Sequence, residues 1–169
     1  MKILTTAATA LSLALLAPAV HAAEATAQVQ DREGNDLGAV RVADTPSGMA
    51  LATLTLVNLP EGVLAVHLHE TGDCSAEDFS SAGGHIAGEH SHGVLSEDGP
   101  HPGDMPNLTV KADGSGEAEV FLSRLEVERD LLDEDGAAFV IHGGVDDYES
   151  QPAGDAGDRI GCGVFEERE

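Results

Sequence analysis

Apolar and polar residues alternate along a series of short segments divided by turns, and this alternation restricts the chain to a β-rich fold. It is clearest from Met49 to Leu59, where Leu54 and Leu56 share one side and Thr53 and Thr55 the other. A period of two places successive side chains on opposite faces of a strand. Further strands are predicted at residues 25–30, 35–42, 63–69, 108–110, 117–122, 137–142 and 159–166. Short strands with turns between them predict a sandwich or a barrel.

The N-terminal residues form a separate segment. Lys2 precedes an apolar run from Leu11 to Val20, and Val20-His21-Ala22 has the small-x-small pattern of a cleavage site. The sequence predicts a cleaved secretory signal at residues 1–22 and a single domain at residues 23–169; a cut after Ala23 fits equally well. A membrane anchor is the alternative, but the run is shorter than the roughly 18 residues that a spanning helix needs.

The mature chain is strongly acidic. The sequence has 31 acidic residues against 8 lysines and arginines, a net charge of −23, which becomes −24 when Lys2 leaves with the signal. Nucleic acids and anionic membrane surfaces both attract basic proteins, so this charge argues against either partner. A solvated acidic coat that keeps the protein soluble is favoured over a specific basic partner.

Two polar stretches interrupt the strands. No regular period is sustained from Glu70 to Pro106, and a loop of this length in a compact domain is usually functional or disordered. A second polar stretch runs from Gly143 to Asp158. The two cysteines, Cys74 and Cys162, indicate one disulfide if the protein is exported. Two thiolate metal ligands are the alternative, although no C-x-x-C pair supports it.

Histidines gather at two predicted strand ends and in the first polar stretch. His67 and His69 are two apart, so both side chains can reach one metal from the same strand face. His142 ends an apolar strand, where a hydrogen-bonded core histidine is the alternative. The polar stretch contributes further candidate ligands, unless it is a solvated histidine-rich tract: His85, His90, His92, His101 and Asp104. Imidazoles suit copper and zinc, and zinc also accepts a carboxylate.

Several motifs that contain these residues resemble one family. The first run is His67-Leu-His69-Glu-Thr-Gly-Asp-Cys74, followed by Gly83-Gly84-His85, His92-Gly93 and His101-Pro-Gly-Asp104. The second comprises Val140-Ile-His142-Gly-Gly-Val-Asp146-Asp147-Tyr148 and Gly157-Asp-Arg159-Ile-Gly-Cys162-Gly163. Together they are similar to the copper–zinc superoxide dismutases, notably the bacterial periplasmic branch, from about Gly48 to Phe165.

The resemblance implies an all-β fold, an eight-stranded antiparallel Greek-key barrel or sandwich with two long loops that form the metal site. It implies one copper and one zinc per subunit, with superoxide as the substrate and oxygen and hydrogen peroxide as products. The implied copper ligands are His67, His69, His85 and His142. The implied zinc ligands are His85, His92, His101 and Asp104. A periplasmic or otherwise secreted location and a possible homodimer complete this expectation.

The resemblance also assigns roles to further residues. His85 would bridge both metals, release copper during the cycle and take a proton. Asp146 would accept hydrogen bonds that orient His67 and His92. Arg159 would sit beside the copper and guide the anion; a surface salt bridge is its alternative role. Cys74 and Cys162 would form the family disulfide.

The chain departs from the family pattern after the bridging histidine. Ile86-Ala87-Gly88 stands where the family usually has Phe-Asn-Pro, and the interval from His85 to His92 is one residue shorter than usual. His92 is still followed by Gly93, and its interval of nine residues to His101 matches the family. His92 is therefore the expected zinc ligand, and His90 is the alternative. A non-enzymatic copper-binding or copper-delivery protein of the same fold and a copper-only enzyme are the competing functions. The high negative charge predicts an activity that rises, or falls only weakly, with added salt.

Overall fold

The structure is a computed structural model that describes residues 22–168. The predicted signal peptide, with His21, lies outside the described residues except for Ala22. Nine strands alternate with turns and loops: β1 (Glu24–Gln30), β2 (Asp36–Asp44), β3 (Ala50–Leu56), β4 (Gly62–Leu64), β5 (Val66–His69), β6 (Leu108–Val110), β7 (Gly116–Leu122), β8 (Ala138–His142) and β9 (Arg159–Glu167). A 3₁₀ turn at Ser80–Ala82 and a short helix, α1 (Val127–Asp130), are the helical elements of the described chain.

The strands form a curled antiparallel sheet that closes into a barrel. Seven strands pair in the order β5-β8-β9-β1-β2-β3-β7, and β4 pairs with β6. The β6–β7 turn, where Lys111 and Ser115 are hydrogen bonded, brings these two groups together. Two connections pass over neighbouring strands of the barrel. The connection from β3 to β4 passes over β7 and β6, and the connection from β7 to β8 passes over β6 and the strand formed by β4 and β5. These two crossings give the Greek-key topology and confirm the predicted fold class.

One predicted strand, Val63 to His69, is divided in the structure at Ala65. β4 pairs with β6 on one side of the division, while β5 pairs with β8 on the other. The backbone of Ala65 bonds beyond the end of β8 rather than with β6: its N–H donates to the Gly144 carbonyl, and its carbonyl accepts from the N–H of His142, the last residue of β8. The division explains why the eight-stranded barrel contains nine separate strands.

The core lies inside the barrel and is built mainly from small and branched aliphatic side chains. On β3 the predicted alternation is confirmed, because Leu54 and Leu56 are buried whereas Thr55 is exposed. Phe139 and Phe165 add the largest apolar surfaces. This continuous core fixes β5 and β8, the strands that carry three of the candidate histidines.

Two irregular segments cover one side of the barrel: the long loop, residues 70–107, and the second loop, residues 143–158. A disulfide joins Cys74 in the long loop to Cys162 on β9, across a sequence separation of 88 residues. On the loop-entropy model, closing such a segment stabilises the fold by roughly 4–5 kcal/mol. The disulfide thus holds the start of the long loop against the sheet. Among residues 22–168, no helix is long and apolar enough to span a membrane.

Candidate metal centre

Two neighbouring strands supply three histidines from rigid positions. His67 and His69 lie on β5, and His142 ends β8, the strand that pairs with β5. All three side chains are buried. Their positions therefore follow directly from the pairing of the two strands.

The long loop turns back along β5 and adds two more candidate ligands. Leu68 exchanges backbone hydrogen bonds with Ile86 and Gly103, and isolated bridges pair His69 with His85 and His67 with Asp104. A Cβ on Gly103 would lie 2.6 Å from the carbonyl oxygen of Leu68, so this close approach requires glycine. The loop is thus ordered by pairing with the strand, which places His85 and Asp104 beside the strand histidines.

Four imidazoles converge in what we call the four-imidazole set, which consists of His67, His69, His85 and His142. One nitrogen of each ring is buried without a hydrogen-bond partner: Nδ1 of His67 and Nε2 of His69, His85 and His142. The ligand atoms of the set all lie within 4.8 Å of one another. An unpaired buried nitrogen is costly in a folded protein, and four in one place fit the donor set of a metal ion.

Hydrogen bonds on the opposite ring nitrogens fix the orientation of the strand histidines. His67 Nε2–H donates to Asp146 Oδ2 at 2.8 Å. His69 Nδ1–H donates to the Gly83 carbonyl at 3.0 Å, and His142 Nδ1–H to the Gly157 carbonyl at 3.2 Å. Each bond leaves the lone pair of the other nitrogen directed into the set, the arrangement that a metal-binding histidine requires.

Burial also keeps these rings neutral. It lowers the pKa of His67 and His142 to about 4 and that of His69 to about 2. Neutral imidazole is the form that binds a metal. The three strand histidines can therefore bind metal at neutral pH without first losing protons.

A second cluster, the carboxylate set, surrounds Asp104. Its Oδ1 atom lies 3.0 Å from Nδ1 of His85, 3.0 Å from Nδ1 of His92 and 3.2 Å from Nδ1 of His101. The other oxygen, Oδ2, accepts backbone N–H bonds from Gly93 and His101. Three imidazole nitrogens and one carboxylate oxygen form a donor set suited to tetrahedral zinc.

His85 belongs to both sets. Its Nδ1 faces Asp104 in the carboxylate set, whereas its Nε2 is one of the unpaired nitrogens of the four-imidazole set. The ring centroids of His85 and His67 are 4.0 Å apart. One imidazole thus connects two potential metal positions.

The structure separates the two candidate histidines of the shortened loop. His92 is fully buried in the carboxylate set, whereas His90 is exposed and its Nδ1 faces the Asp98 carbonyl. Gly88 has a φ of 56°, in the left-handed region that favours glycine. A glycine at this position allows the chain to turn between His85 and His92.

Asp146 links the two sets. It accepts hydrogen bonds from His67 Nε2 at Oδ2 and from His92 Nε2 at Oδ1, the latter at 3.0 Å. Burial disfavours the charged carboxylate, but these bonds outweigh it and lower the pKa of Asp146 to about 2. Burial likewise opposes protonation of His92, but Asp104 and Asp146 together raise its pKa to about 9. His92 therefore has a carboxylate at each ring nitrogen.

Three residues that support this arrangement were not identified from the sequence. Asn107 binds the backbone of Asp146 through both ends of its amide, and Gln151 does the same for the backbone of His92. A Cβ on Gly154 would lie 1.9 Å from Asp146 Oδ1. The glycine richness of the second loop was the available signal, but it does not show which glycine is confined.

Arg159 lies at the edge of the four-imidazole set. Its Cα pairs with that of His142 between β8 and β9. Its guanidinium donates to the carbonyls of Phe79 and Gly83, each at 2.7 Å, and no carboxylate lies within 4.0 Å of it among the described residues. The surface salt bridge considered for this residue is therefore absent from residues 22–168. Its guanidinium is held by neutral carbonyls next to the unpaired nitrogens of the four-imidazole set.

Known proteins are similar to this chain in sequence and in fold. A family model for copper/zinc superoxide dismutase matches residues 36–165. A copper–zinc superoxide dismutase of Caulobacter vibrioides is 42% identical over 148 residues, which cover 83% of this chain and 84% of the relative. One from Aquifex aeolicus is 42% identical over 144 residues, covering 82% and 85%. The crystal structure of a superoxide dismutase-like protein from Bacillus subtilis matches with a TM-score of 0.77 at 35% identity, covering 82% of this chain and 95% of that one. The chain belongs to the copper/zinc superoxide dismutase family.

Proposed function

We propose that this protein is a superoxide dismutase that converts two superoxide anions and two protons into oxygen and hydrogen peroxide. The observation that carries the proposal is the set of four buried, unpaired imidazole nitrogens that shares His85 with a second donor cluster. Relatives named as copper–zinc superoxide dismutases at 40–42% identity support it. Each chain would bind one copper and one zinc.

The two donor sets suit different metals. Four imidazoles favour copper, so the proposed copper ligands are His67 Nδ1, His69 Nε2, His85 Nε2 and His142 Nε2. Zinc prefers a tetrahedral set with nitrogen and oxygen donors. The proposed zinc ligands are Nδ1 of His85, His92 and His101 and Oδ1 of Asp104.

The residues around these sets have separate tasks. Copper, when bound, supplies the one-electron oxidation and reduction that dismutation requires. His85 Nε2, on the ring that the two sets share, would hold a proton between the two half-reactions. Arg159 places a permanent positive charge where an anion approaches the four-imidazole set. Asp146 holds His67 and His92 in their ligating orientations.

A kinetic assay tests the proposed activity. Protein loaded with copper and zinc is mixed with superoxide generated by pulse radiolysis, and we expect rapid catalytic consumption that His142→Ala abolishes. Asp147→Asn serves as a control, because Asp147 is exposed and caps only the neighbouring Glu149 and Ser150. Full metal occupancy without turnover would instead favour a copper-binding or copper-delivery protein of this fold.

We further propose that zinc accompanies copper, since all four donors of the carboxylate set converge. Elemental analysis of protein purified without added metal, with Asp104→Ala as comparison, tests this. We expect zinc in the wild type and little in the variant. Copper without zinc in the wild type would indicate a copper-only enzyme.

We also propose that residues 1–22 are cleaved on export and that the mature domain acts in the periplasm or outside the cell. The apolar run before Ala22 and the disulfide between Cys74 and Cys162 support export to an oxidising compartment. Intact-mass measurement of the protein recovered from the producing bacterium's envelope fraction tests the proposal. A full-length chain found with the cytoplasmic proteins would contradict it.

A homodimer is a last proposal for this protein. A groove of about 410 Å³ is lined by uncharged residues, among them Val94, Pro106 and Phe121, together with the half-buried Asp104, and Phe121 is 71% exposed. Two copies that each carry a large negative charge repel one another least where such an uncharged face meets its equivalent. Sedimentation analysis should find a dimer that Phe121→Glu dissociates and Val57→Glu, at the other end of the barrel, does not. A monomeric wild type would refute this assembly.

A further inference from the structure

The protein has few positively charged side chains, and only some of them form ion pairs. Residues 22–168 contain seven lysines and arginines, and four of them lie within 4.0 Å of a carboxylate: Arg41, Lys111, Arg129 and Arg168. Within the same part of the chain, Arg32, Arg124 and Arg159 have no carboxylate at that distance. Two of these three, Arg32 and Arg159, are in direct contact with each other.

Arg32 reaches the metal centre from a distant part of the sequence. It lies in the turn between β1 and β2, and its Nη2 donates to the Arg159 carbonyl oxygen at 2.7 Å, across 127 residues of sequence. Arg159 in turn is paired with His142 and donates to the Gly83 carbonyl, which also accepts from His69. The Arg32 guanidinium is therefore fixed against the backbone of Arg159, whose own guanidinium lies at the edge of the four-imidazole set.

The acids close to this pair are occupied elsewhere. The carboxylate of Asp31 accepts from the backbone of Glu33 and from the backbone and side chain of Asn35. Burial lowers the pKa of Arg159, and the negative charge of Asp78 opposes this effect. The Asp78 carboxylate accepts a hydrogen bond from the backbone N–H of Ser80. Glu77 lines the same groove as Arg32 without forming an ion pair with it. The Asp31 and Asp78 carboxylates thus have other hydrogen-bond partners, and the Arg32 guanidinium forms no ion pair among residues 22–168.

We propose that Arg32 is a second guiding residue for superoxide, acting with Arg159, and this inference rests on the proposed dismutase activity. The overall charge of the protein repels an anion at long range, but screening limits that repulsion to roughly 8–10 Å at physiological salt. Within this distance, the positive charges of Arg32 and Arg159 both add to the local potential that an anion meets. Arg32 also anchors the backbone of Arg159, so the two charges keep a fixed spacing.

Substituting Arg32 tests the inference in the copper- and zinc-loaded enzyme. We expect Arg32→Gln to lower kcat/KM roughly two- to three-fold at low ionic strength, and Arg32→Glu to lower it further, because the rate of electrostatically guided encounters follows the local charge. Arg32→Lys should keep most of the rate. Arg124→Gln is the matched control, since Arg124 also lacks a carboxylate partner but donates to the Pro100 carbonyl, away from the four-imidazole set.

Salt dependence and anion affinity distinguish guidance from structural damage. The Arg32→Gln deficit should vanish at high ionic strength, and the dissociation constant of azide, measured from the visible spectrum of the copper site, should rise roughly two-fold at low salt. Metal content should be unchanged. An unaltered rate and azide affinity in Arg32→Gln, or a deficit that persists at high salt, would overturn the role of Arg32. An inactive wild type with both metals bound would refute the dismutase proposal instead.

Discussion

The two halves of the metal centre are built in different ways. In the four-imidazole set, three histidines belong to β5 and β8, which pair with each other above the main core. In the carboxylate set, every member comes from the long loop, and β5 supports it through backbone pairing and through the His67 ring, which packs against His85 and His92. The first half therefore takes its geometry from the barrel. The second half takes its geometry from a disulfide, a few glycines and the hydrogen bonds of Asp146, Asn107 and Gln151.

This difference predicts how each half responds to perturbation. A histidine on a strand keeps its position when its metal or its hydrogen-bond partner is removed, because the surrounding sheet defines it. A histidine on a loop depends on all its neighbours together, so its order and its metal affinity should be coupled. The predictions below begin with the largest expected effect.

Zinc should stabilise the loop half far more than the strand half. When free zinc exceeds its Kd about 1,000-fold, binding adds about 4 kcal/mol to the free energy of unfolding. For a domain of this size we expect Tm to rise by roughly 8–16 °C. Hydrogen exchange of metal-free protein before and after zinc addition should show protection gained in residues 70–107 and little change in β5 and β8. An equal gain of protection in both regions would show that zinc does not stabilise the loop half selectively.

Asp146→Asn should weaken zinc binding more than copper binding. Asp146 contacts His67 in one half and His92 in the other, but only His67 is held by a strand as well. Loss of such an orienting carboxylate typically lowers metal affinity about 10–100-fold. We expect that loss for zinc and a smaller one for copper, measured by competition with chelators. Asp147→Asn is the adjacent control, and an equal loss of both metals would show that the strand gives no advantage.

Gly154→Ala should disturb the carboxylate set through a steric clash. The added Cβ would lie 1.9 Å from Asp146 Oδ1 and 2.7 Å from His92 Nε2, at a φ of 67°. Gly48 has a similar φ of 81° but open space around it, so Gly48→Ala measures the backbone strain alone. We expect Gly154→Ala to cost about 2 kcal/mol more in urea unfolding. It should also lose zinc. Similar costs for the two variants would show that the second loop can relax away from Asp146.

The smallest expected effect on stability concerns an ion-pair cluster outside both donor sets. Glu24 on β1 bonds with Arg41 and Arg168, and these contacts, led by the hydrogen bond to Arg41 and opposed by burial, lower its pKa to about 2. A lowered carboxyl pKa stabilises the fold above the ordinary value of 4.5, and the stabilisation is lost as the pH falls toward 2. Because the pair lies near the surface, we expect about 1 kcal/mol or less. Glu24→Gln should be less stable than wild type at pH 7, and the difference should shrink below pH 4.5 and nearly vanish at about pH 2. A constant difference would contradict this.

The same division between strands and loops limits what the sequence could predict. The alternation in β3 and the apolar run before His142 identified the strands and their buried faces, since each signal is local. The division at Ala65 was missed, because it depends on contacts with Gly144 and His142, far along the chain. In the loops, motif spacing indicated the ligands but left His90 and His92 as alternatives. Burial of His92 depends on Gln151 and Asp146, which no local pattern connects to it.

The central claim is that His85 joins a copper held mainly by strands to a zinc held by the long loop. A crystal structure of the protein loaded with both metals, with anomalous diffraction data at the copper and zinc absorption edges, tests it most directly. We predict a copper peak among His67, His69 and His142, a zinc peak among His92, His101 and Asp104, and the His85 ring between them. A zinc position that includes His90, or the two metals in the reverse order, would contradict the account.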